Sequence, residues 1–489
     1  MPDLPDPRPE FPPTSRTPLG EPSALARTPD PGSPGVARLL SIVALLLLGA
    51  VVYMQQVARP ARSAAPAAPA SIAAPSDQFV ILSKLVVKLG GEFRKMDPKF
   101  GASLQLNVDA GAKTPEDKLR AAVVASELLG VDEATSRLHD LAGAHPDLAD
   151  DARGLAAALI APPDEPTLTR LRERHGYYAR LAAARSLPDS DPARQSLVGG
   201  GAALLALIVL GMIVGGLAFL AGLVFFIIAV VQVLSRRIEA RHVPPAPGGS
   251  LGIELVVAFI AGFLALKGLA SILASTLKPS DATLMLLTLG AQWLLFLLLL
   301  YPRLRYPRSD GLARLGWHRG RGILTEIGCG LLGYLAMLPI FAACVLATLV
   351  IVLIRGAVYK ATGQGEPPNP ENPVFEMVAK SSGSWLFLLI FALATVWAPV
   401  MEETVFRGAL YRFLRGRASV VVAALGSAFA FGLMHSYEWF LLMPVVGLGF
   451  SFALLREWRG SLIAPVTAHA LHNGAILLFA SALLGILGD

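Results

Sequence analysis

The chain has 489 residues, of which 54% are hydrophobic and only 16% are charged. Soluble domains carry about a quarter charged residues, so this composition excludes an ordinary soluble protein and indicates a membrane protein. The net charge is +6, but the lysines and arginines concentrate in short segments between apolar runs. Their placement therefore indicates membrane topology rather than binding to nucleic acid.

Residues 1–37 are rich in proline, serine and threonine and poor in large apolar side chains, which predicts a disordered tail. The apolar run over 38–55 predicts a first transmembrane helix. Residues 56–195 begin with an Ala/Pro-rich linker and continue, from about 78 to 190, with helical apolar spacing and charges on the opposite face. We interpret this part as a small extramembrane helical domain, and no motif in it indicates a function.

After residue 195 the chain consists almost entirely of apolar runs. About 20 helical residues cross the ~30 Å hydrocarbon core of a bilayer. On this criterion we predict spans at 198–235, 251–276, 282–301, 323–354, 383–415, 418–436, 438–455 and 461–486. The first is long enough for two short spans, but no polar break divides it, and we prefer one long helix. The predicted fold is an all-α, polytopic membrane bundle of about nine spans, with accessory helices over 196–382 and a C-terminal core over 383–489.

The basic segments 235–241, 302–321, 412–417 and 456–460 fall on one side of the membrane in this scheme. By the positive-inside rule that side is cytoplasmic. The N-terminus is then cytoplasmic and the helical domain lies outside. The long Ala/Pro/Arg-rich linkers are typical of bacteria, which predicts a multi-pass protein of the bacterial inner membrane.

The stretch WAPVMEETVFRGALYRFLRGR, residues 397–417, places two glutamates and an arginine in a membrane span. On an α-helix Glu403 and Arg407 are four residues apart and are expected to pair, whereas Glu402 projects about 100° away and is not used by that pair. Ionisable residues inside a membrane are costly and indicate a functional site. The alternative is that the helix has already left the lipid and that these charges are interfacial.

Two later spans carry further polar side chains. Phe431 and His435 are predicted to share one helix face, as are His469 and Asn473, while His472 faces a neighbouring direction and is expected to pack or bond there. Counted at about 1.5 Å per residue from the basic turns, these groups and the glutamates lie in overlapping layers of the bilayer. A lone histidine in an apolar helix is usually packed, but this clustering predicts a site.

In this order on three spans, the motifs EExxxR, FxxxH and HxxxN resemble those of the CPBP family of intramembrane proteases, also called the CAAX-protease and bacteriocin-processing, or Abi, family. The motif positions correspond here to Glu402, Glu403, Arg407, Phe431, His435, His469 and Asn473. The resemblance covers about 383–486 and implies an endopeptidase acting on a membrane-embedded or membrane-associated protein or peptide. The additional span, the helical domain and the tail depart from the family core.

The resemblance also implies roles for these residues. Glu402, with His435, would activate the attacking water, while His469 and Asn473 would face the developing oxyanion. Glu402, His435 and His469 are also plausible zinc ligands with an open position for water. We therefore expect a metalloprotease with zinc as cofactor, and a metal-free glutamate mechanism, which the family also allows, is the alternative.

The remaining motif residues are supporting ones: Glu403 and Arg407 as a buried pair, and Phe431 beside them. The substrate stays open between peptide maturation, bacteriocin self-immunity and membrane-protein turnover, because prenylated proteins are not expected in a bacterium. A non-catalytic scaffold or immunity protein is the first alternative function. A transporter is the second, since intramembrane Glu and His also build proton relays, but paired repeats are missing.

Overall fold

The structure, a computed structural model, describes residues 28–56, 77–97, 99–306, 310–363, 377–378, 381 and 385–488. Over these residues the chain is helical and forms no strand, with only an isolated bridge between Pro29 and Ala246. The predicted all-α membrane bundle is therefore confirmed. Contacts divide the chain into two compact units. Unit 1 consists of Met1–Val57, Ala218–Pro367 and Leu393–His472, and unit 2 of Ala58–Leu217, Pro368–Ala392 and Asn473–Asp489.

The N-terminal helices are α1 (Pro34–Gln56), α2 (Asp77–Met96), α3 (Lys99–Gly111), α4 (Pro115–Leu128), α5 (Val131–Ala144), α6 (Ala149–Ile160), α7 (Glu165–His175), α8 (Tyr177–Ala184) and α9 (Pro192–Val198). Those that follow are α10 (Gly201–Leu234), α11 (Leu251–Leu277), α12 (Asp281–Gln292), α13 (Tyr301–Arg305), α14 (Gly311–Leu315), α15 (Ile323–Ala361), α16 (Trp385–Arg415), α17 (Val420–Leu433), α18 (Leu442–Arg459) and α19 (Ile463–Leu487). Single 3₁₀ segments lie at Pro146–Leu148, Trp293–Leu300 and Trp439–Leu441.

Unit 2 contains the predicted helical domain, built from α2 to α9. Its core is apolar and includes the buried residues Leu119, Leu138 and Leu155. The buried Asp151 carboxylate lies 3.0 Å from His175 Nε2 and accepts a hydrogen bond of 2.9 Å from Arg174. Because these partners compensate its charge, Asp151 joins α6 to α7 inside the domain.

Eight helices in the described part of the chain are long and apolar enough to cross a membrane. The region predicted at 198–235 forms one continuous helix, α10, over Gly201–Leu234. One of the nine predicted spans, 418–436, is not among these eight helices. It corresponds to α17, whose 14 residues are too few to cross a bilayer by themselves. Helix α17 ends at Leu433 because the sequence becomes polar in the following HSYE segment. Many apolar side chains of the spans are exposed, as lipid-facing surfaces of a multi-pass protein are.

In unit 1, the helix that carries the two glutamates packs against α11. Phe406 of α16 meets Phe259 of α11 edge to face, with the ring centroids 6.1 Å apart. Gly252 of α11 permits the contact, since a Cβ atom there would lie 2.8 Å from the carbonyl oxygen of Ala409. This close approach fixes one side of α16.

The basic segments of unit 1 meet at one end of the helices. Arg415 pairs with Glu457 at 3.1 Å, and Arg459 pairs with Glu326 at 2.7 Å. His318 donates a hydrogen bond of 2.8 Å to the carbonyl oxygen of Gly460. This arrangement fits the prediction that the basic segments lie on one side of the membrane. That this side is cytoplasmic stays a prediction.

The structure differs from the predicted disordered tail over residues 28–37. Helix α1 begins at Pro34, and the Asp30 carboxylate is buried. Arg412 donates two hydrogen bonds to Asp30, of 2.9 and 3.0 Å, and Tyr306 donates a third of 2.8 Å. Composition cannot show an ion pair between residues 382 positions apart, which explains the difference. Residues 1–27 of the predicted tail and 57–76 of the predicted linker lie outside the described residues.

Candidate active site

Helix α16 departs from the regular α-helix predicted for 383–415. Its turns widen to π-helical geometry over Leu393–Trp397 and again over Glu403–Tyr411. Pro399 accounts for the first widening, because its ring cannot donate an N–H and crowds the carbonyl group of the preceding turn. Such turns are rare and occur often at functional sites. The second π-helical segment begins directly after Glu402, so the adjacent carboxylates leave the helix where its pitch changes.

The predicted ion pair between Glu403 and Arg407 is present and fully buried. Arg407 Nη1 donates to Glu403 Oε1 at 3.0 Å, and both side chains are 0% exposed. Arg407 Nη2 donates to the carbonyl oxygen of Gly449 on α18, also at 3.0 Å. The guanidinium lies 4.4 Å from the ring centroid of Phe431 and 5.2 Å from that of Phe452. Charge, hydrogen bonds and two aromatic faces thus hold Arg407 in one position.

His469 of α19 connects the two glutamates. Its Nδ1 donates a hydrogen bond of 2.9 Å to Glu403 Oε1, which leaves Nε2 directed to Glu402 Oε2 at 3.8 Å. The second distance is too long for a hydrogen bond. The imidazole stacks on the ring of Phe452, with centroids 5.0 Å apart. His469 is therefore oriented by Glu403 and presents its second nitrogen to Glu402.

The two glutamates have different environments although they are adjacent in sequence. The Glu403 side chain is completely buried and is bonded by Arg407 and His469. The Glu402 side chain is 18% exposed, and no donor among the described residues makes a hydrogen bond to its carboxylate. A carboxylate with open lone pairs and partial access can accept a proton from a reactant, whereas one with its charge already compensated cannot easily do so.

His435 lies in the turn that follows α17, and not on the helix as predicted. Its Nδ1 donates a hydrogen bond of 2.9 Å to the carbonyl oxygen of Phe431, and the two rings touch with centroids 4.7 Å apart. Because a carbonyl oxygen only accepts, this bond places the proton on Nδ1 and leaves Nε2 as an acceptor. The ring of Phe431 also contacts His469, with centroids 5.8 Å apart, so it lies against both imidazoles. Glu402, His435 and His469 are thus brought together from three segments of the chain.

His472 and Asn473 of α19 have different surroundings. His472 is 8% exposed and packs between Tyr334 and Phe341 of α15, with ring centroids 6.0 and 5.2 Å away. This confirms the expected packing of His472 against a neighbouring helix. Asn473 follows His469 by one helical turn, and the boundary between the two units falls directly before it. A catalytic role for Asn473 therefore stays a prediction from sequence.

The segment that contains these residues also matches a known protein family. Residues 384–475 match the family model described as type II CAAX prenyl endopeptidase Rce1-like. They form an Rce1-like domain. The match covers about a fifth of the chain and contains every motif position from Glu402 to Asn473. The resemblance of this segment to the CPBP, or CAAX-protease, family is confirmed. No curated protein and no solved structure matches the chain significantly.

Two residues of the Rce1-like domain that contact Arg407 are absent from the motifs. Gly449 supplies the carbonyl acceptor, and Phe452, one turn later on α18, supplies an aromatic face shared with His469. A Cβ atom on Gly449 would lie 3.1 Å from Arg407 Nη2 and 3.1 Å from Ala428 Cα. In sequence, this glycine looks like any other in an apolar span, so only the structure shows its importance.

We therefore expect Gly449→Ala to displace Arg407 and to destabilise the domain by about 1–3 kcal/mol, the usual range for overpacking. Thermal unfolding in detergent measures the effect. Gly328→Ala is the matched control, because a Cβ atom on that glycine of α15 would meet nothing within 4 Å. Equal melting of both variants would show that the space beside Arg407 is not needed.

The Rce1-like domain contains chemically suitable zinc donors, but their arrangement does not match a metal centre. No group of three His, Cys, Asp or Glu side chains in the described part of the chain is placed to hold a metal ion. Nδ1 of His435 and Nδ1 of His469 donate hydrogen bonds within the protein, which leaves the Nε2 atoms as the nitrogens that a metal could use. As placed, Glu402, His435 and His469 form no closed three-donor set, and zinc binding by these residues stays a prediction from sequence.

Proposed function

We propose that the protein is an intramembrane endopeptidase that hydrolyses a peptide bond in a membrane-associated protein or peptide. The observation that carries the proposal is the unequal environment of Glu402 and Glu403. Inside an Rce1-like domain, one carboxylate is partly accessible and accepts no hydrogen bond from the described residues, and its neighbour is buried and bonded at Oε1 by Arg407 and His469. A purely structural pair of glutamates would not require one of them to remain open.

In this mechanism Glu402 acts as the general base. It removes one proton from a water molecule, and the water oxygen then forms a bond to the carbonyl carbon of the substrate. The carbonyl π electrons move to oxygen, and an oxyanion results. When the C–N bond breaks, the proton held by Glu402 passes to the leaving nitrogen. The oxyanion electrons re-form the carbonyl group as this bond breaks, so the products are a carboxylic acid and an amine, and water is the only co-reactant.

The two histidines assist through their free nitrogens. His469 Nε2 faces Glu402, and a proton shared between them would stabilise the carboxyl group after it has accepted a proton from water. His435 Nε2 is a second acceptor, suited to orient the attacking water. Asn473 is the predicted neutral donor for the oxyanion. Glu403 and Arg407 hold His469 in position and do not contact the reacting atoms.

The substrate proposed is a polypeptide segment that enters the bundle from the membrane. The family name refers to CAAX prenyl substrates. For this chain we propose the broader class of membrane-associated peptides and proteins. The test is cleavage of a peptide library derived from membrane proteins by the purified full-length protein, with new termini identified by mass spectrometry. Absence of any cleavage in detergent and in vesicles would argue for the scaffold alternative.

Metal dependence has a separate test. Because the described side chains form no three-donor centre, we expect cleavage to persist after treatment with a zinc chelator. The measurement is the initial rate before and after chelation, followed by the addition of zinc. Lost cleavage that zinc restores would revive the metalloprotease prediction with Glu402, His435 and His469 as ligands. A known zinc peptidase treated in parallel shows that the chelator was effective.

A further inference from the structure

A cavity lies in unit 1, at the end of the helices where the basic segments meet. Its volume is about 360 Å³. That size lies within the range of small-molecule sites and is much larger than a single small ion requires. The lining contains six basic side chains: Arg241, His242, Arg314, His318, Arg412 and Arg456. Among the described residues, no aspartate or glutamate lines the cavity.

Two of these side chains are already satisfied within the protein. Arg412 makes a two-pronged ion pair with Asp30, and its charge is thereby compensated. His318 donates from Nε2 to Gly460 and accepts at Nδ1 from the backbone of Gly320. Neither residue needs a ligand, so the argument depends on the other four.

Arg456 carries the strongest indication. Its side chain is among the largest fully buried ones, at 1% exposure, and Nη2 donates to the carbonyl oxygen of Leu315 at 2.9 Å. Nε and Nη1 have no hydrogen-bond partner among the described residues. Arginine remains charged in proteins, and a buried guanidinium with open donors is costly unless an anion accepts from them. The C-terminal end of α18 offers only about half a negative charge.

The neighbours of Arg456 increase the positive potential. Arg241 forms no ion pair among the described residues, and Arg314 contacts only an aromatic face, with Tyr306 5.1 Å away. His242 is buried, and its Nε2 has no partner. Burial and then the charges of Arg456 and Arg412 hold the pKa of His242 well below its ordinary value. The cavity therefore combines uncompensated positive charge with unused hydrogen-bond donors.

We propose that this cavity is a binding site for a phosphate-bearing anion. A guanidinium group can bind a phosphate through two parallel N–H···O hydrogen bonds. Three guanidinium groups, those of Arg241, Arg314 and Arg456, line this cavity, and no carboxylate of the described residues does. The volume leaves room for a substituent on the phosphate, as in a lipid headgroup or a small soluble phosphate ester. The site is separate from the protease site and uses none of its residues.

The experiment measures thermal unfolding of the full-length, detergent-solubilised protein during titration with three probes. They are inorganic phosphate, short-chain phosphatidic acid and the phosphatidylcholine of equal chain length. Arg314→Gln removes an exposed cavity arginine and is the main variant, since Arg456→Gln also removes the bond to Leu315 and risks misfolding. Arg319→Gln is the matched control, because this exposed arginine in the same segment does not line the cavity.

We expect phosphate or phosphatidic acid, but not phosphatidylcholine, to raise the melting temperature of the wild type and of Arg319→Gln. Arg314→Gln should bind at least about tenfold more weakly, as loss of a charged hydrogen-bond donor predicts. A response to both anions indicates that a soluble phosphate compound suffices, and a response to phosphatidic acid alone indicates a lipid headgroup. No response to either anion, or equal weakening in both variants, would overturn the proposal.

Discussion

Glu402→Gln is expected to reduce peptide cleavage by at least about 100-fold, the contribution usually made by a general base. The amide has nearly the same shape as the carboxylate but cannot accept a proton from water. Because the Glu402 carboxylate is partly exposed and accepts no hydrogen bond from the described residues, the substitution removes little structural support. The melting temperature should therefore change by no more than a few degrees. The measurements are initial cleavage rates and thermal unfolding of the same preparation.

The adjacent residue supplies the control. Glu403→Gln weakens the bonds to Arg407 and His469, so we expect a lower melting temperature together with lower activity. Comparison of the two variants would thus separate a chemical role of Glu402 from a structural role of Glu403. If Glu402→Gln retained wild-type cleavage, Glu402 would not be the base. If it instead lost stability to the same extent as Glu403→Gln, the motif would be structural.

Arg407→Met is expected to destabilise the protein by about 3–5 kcal/mol, the usual cost of removing one partner from a buried ion pair. The substitution leaves Glu403 charged, completely buried and dependent on His469 alone. It also leaves the carbonyl oxygen of Gly449 without this donor. Thermal or denaturant unfolding in detergent measures the loss, and cleavage should fall in proportion to the folded fraction.

A double variant distinguishes the loss of a pair from a general packing defect. Replacing both members of a buried ion pair by apolar residues is often nearly neutral. Glu403→Leu combined with Arg407→Met should therefore regain part of the stability that Arg407→Met alone loses. A double variant whose loss equals the sum of the two single losses would mean that the pair is not coupled. Arg407→Lys should be intermediate, since a single ammonium group reproduces the charge but not the two-directional bonding.

The motifs in the sequence predicted which residues lie close together better than they predicted how those residues interact. The pairing of Glu403 with Arg407 follows from a four-residue spacing, which is local information. The bond between Glu403 and His469 joins residues 66 positions apart and depends on the rotamers of both. Spacing alone therefore predicts the pairing of Glu403 with Arg407, whereas the oxyanion role of His469 is what the family resemblance implies, and neither predicts the bond between His469 and Glu403.

Other differences have similar physical causes. The π-helical turns of α16 depend on how Pro399 and the packing partners share the backbone hydrogen bonds, and propensity alone predicts an α-helix. Gly449 is one of many glycines in apolar helices, and its role depends on which side chain approaches it. The helix boundaries of the spans were easier to predict, because a bilayer requires long apolar runs.

The pairing of the basic residues affects how the protein can be divided. Arg412 and Arg459 both belong to the Rce1-like domain, but their carboxylate partners, Asp30 and Glu326, lie outside it. Arg456 likewise donates to the backbone of Leu315, which also lies outside. A fragment of residues 384–475 would expose three arginines whose partners had been removed. We therefore expect that the stretch marked by family resemblance does not fold alone, and that a stable fragment must also include the segments around Asp30 and Glu326.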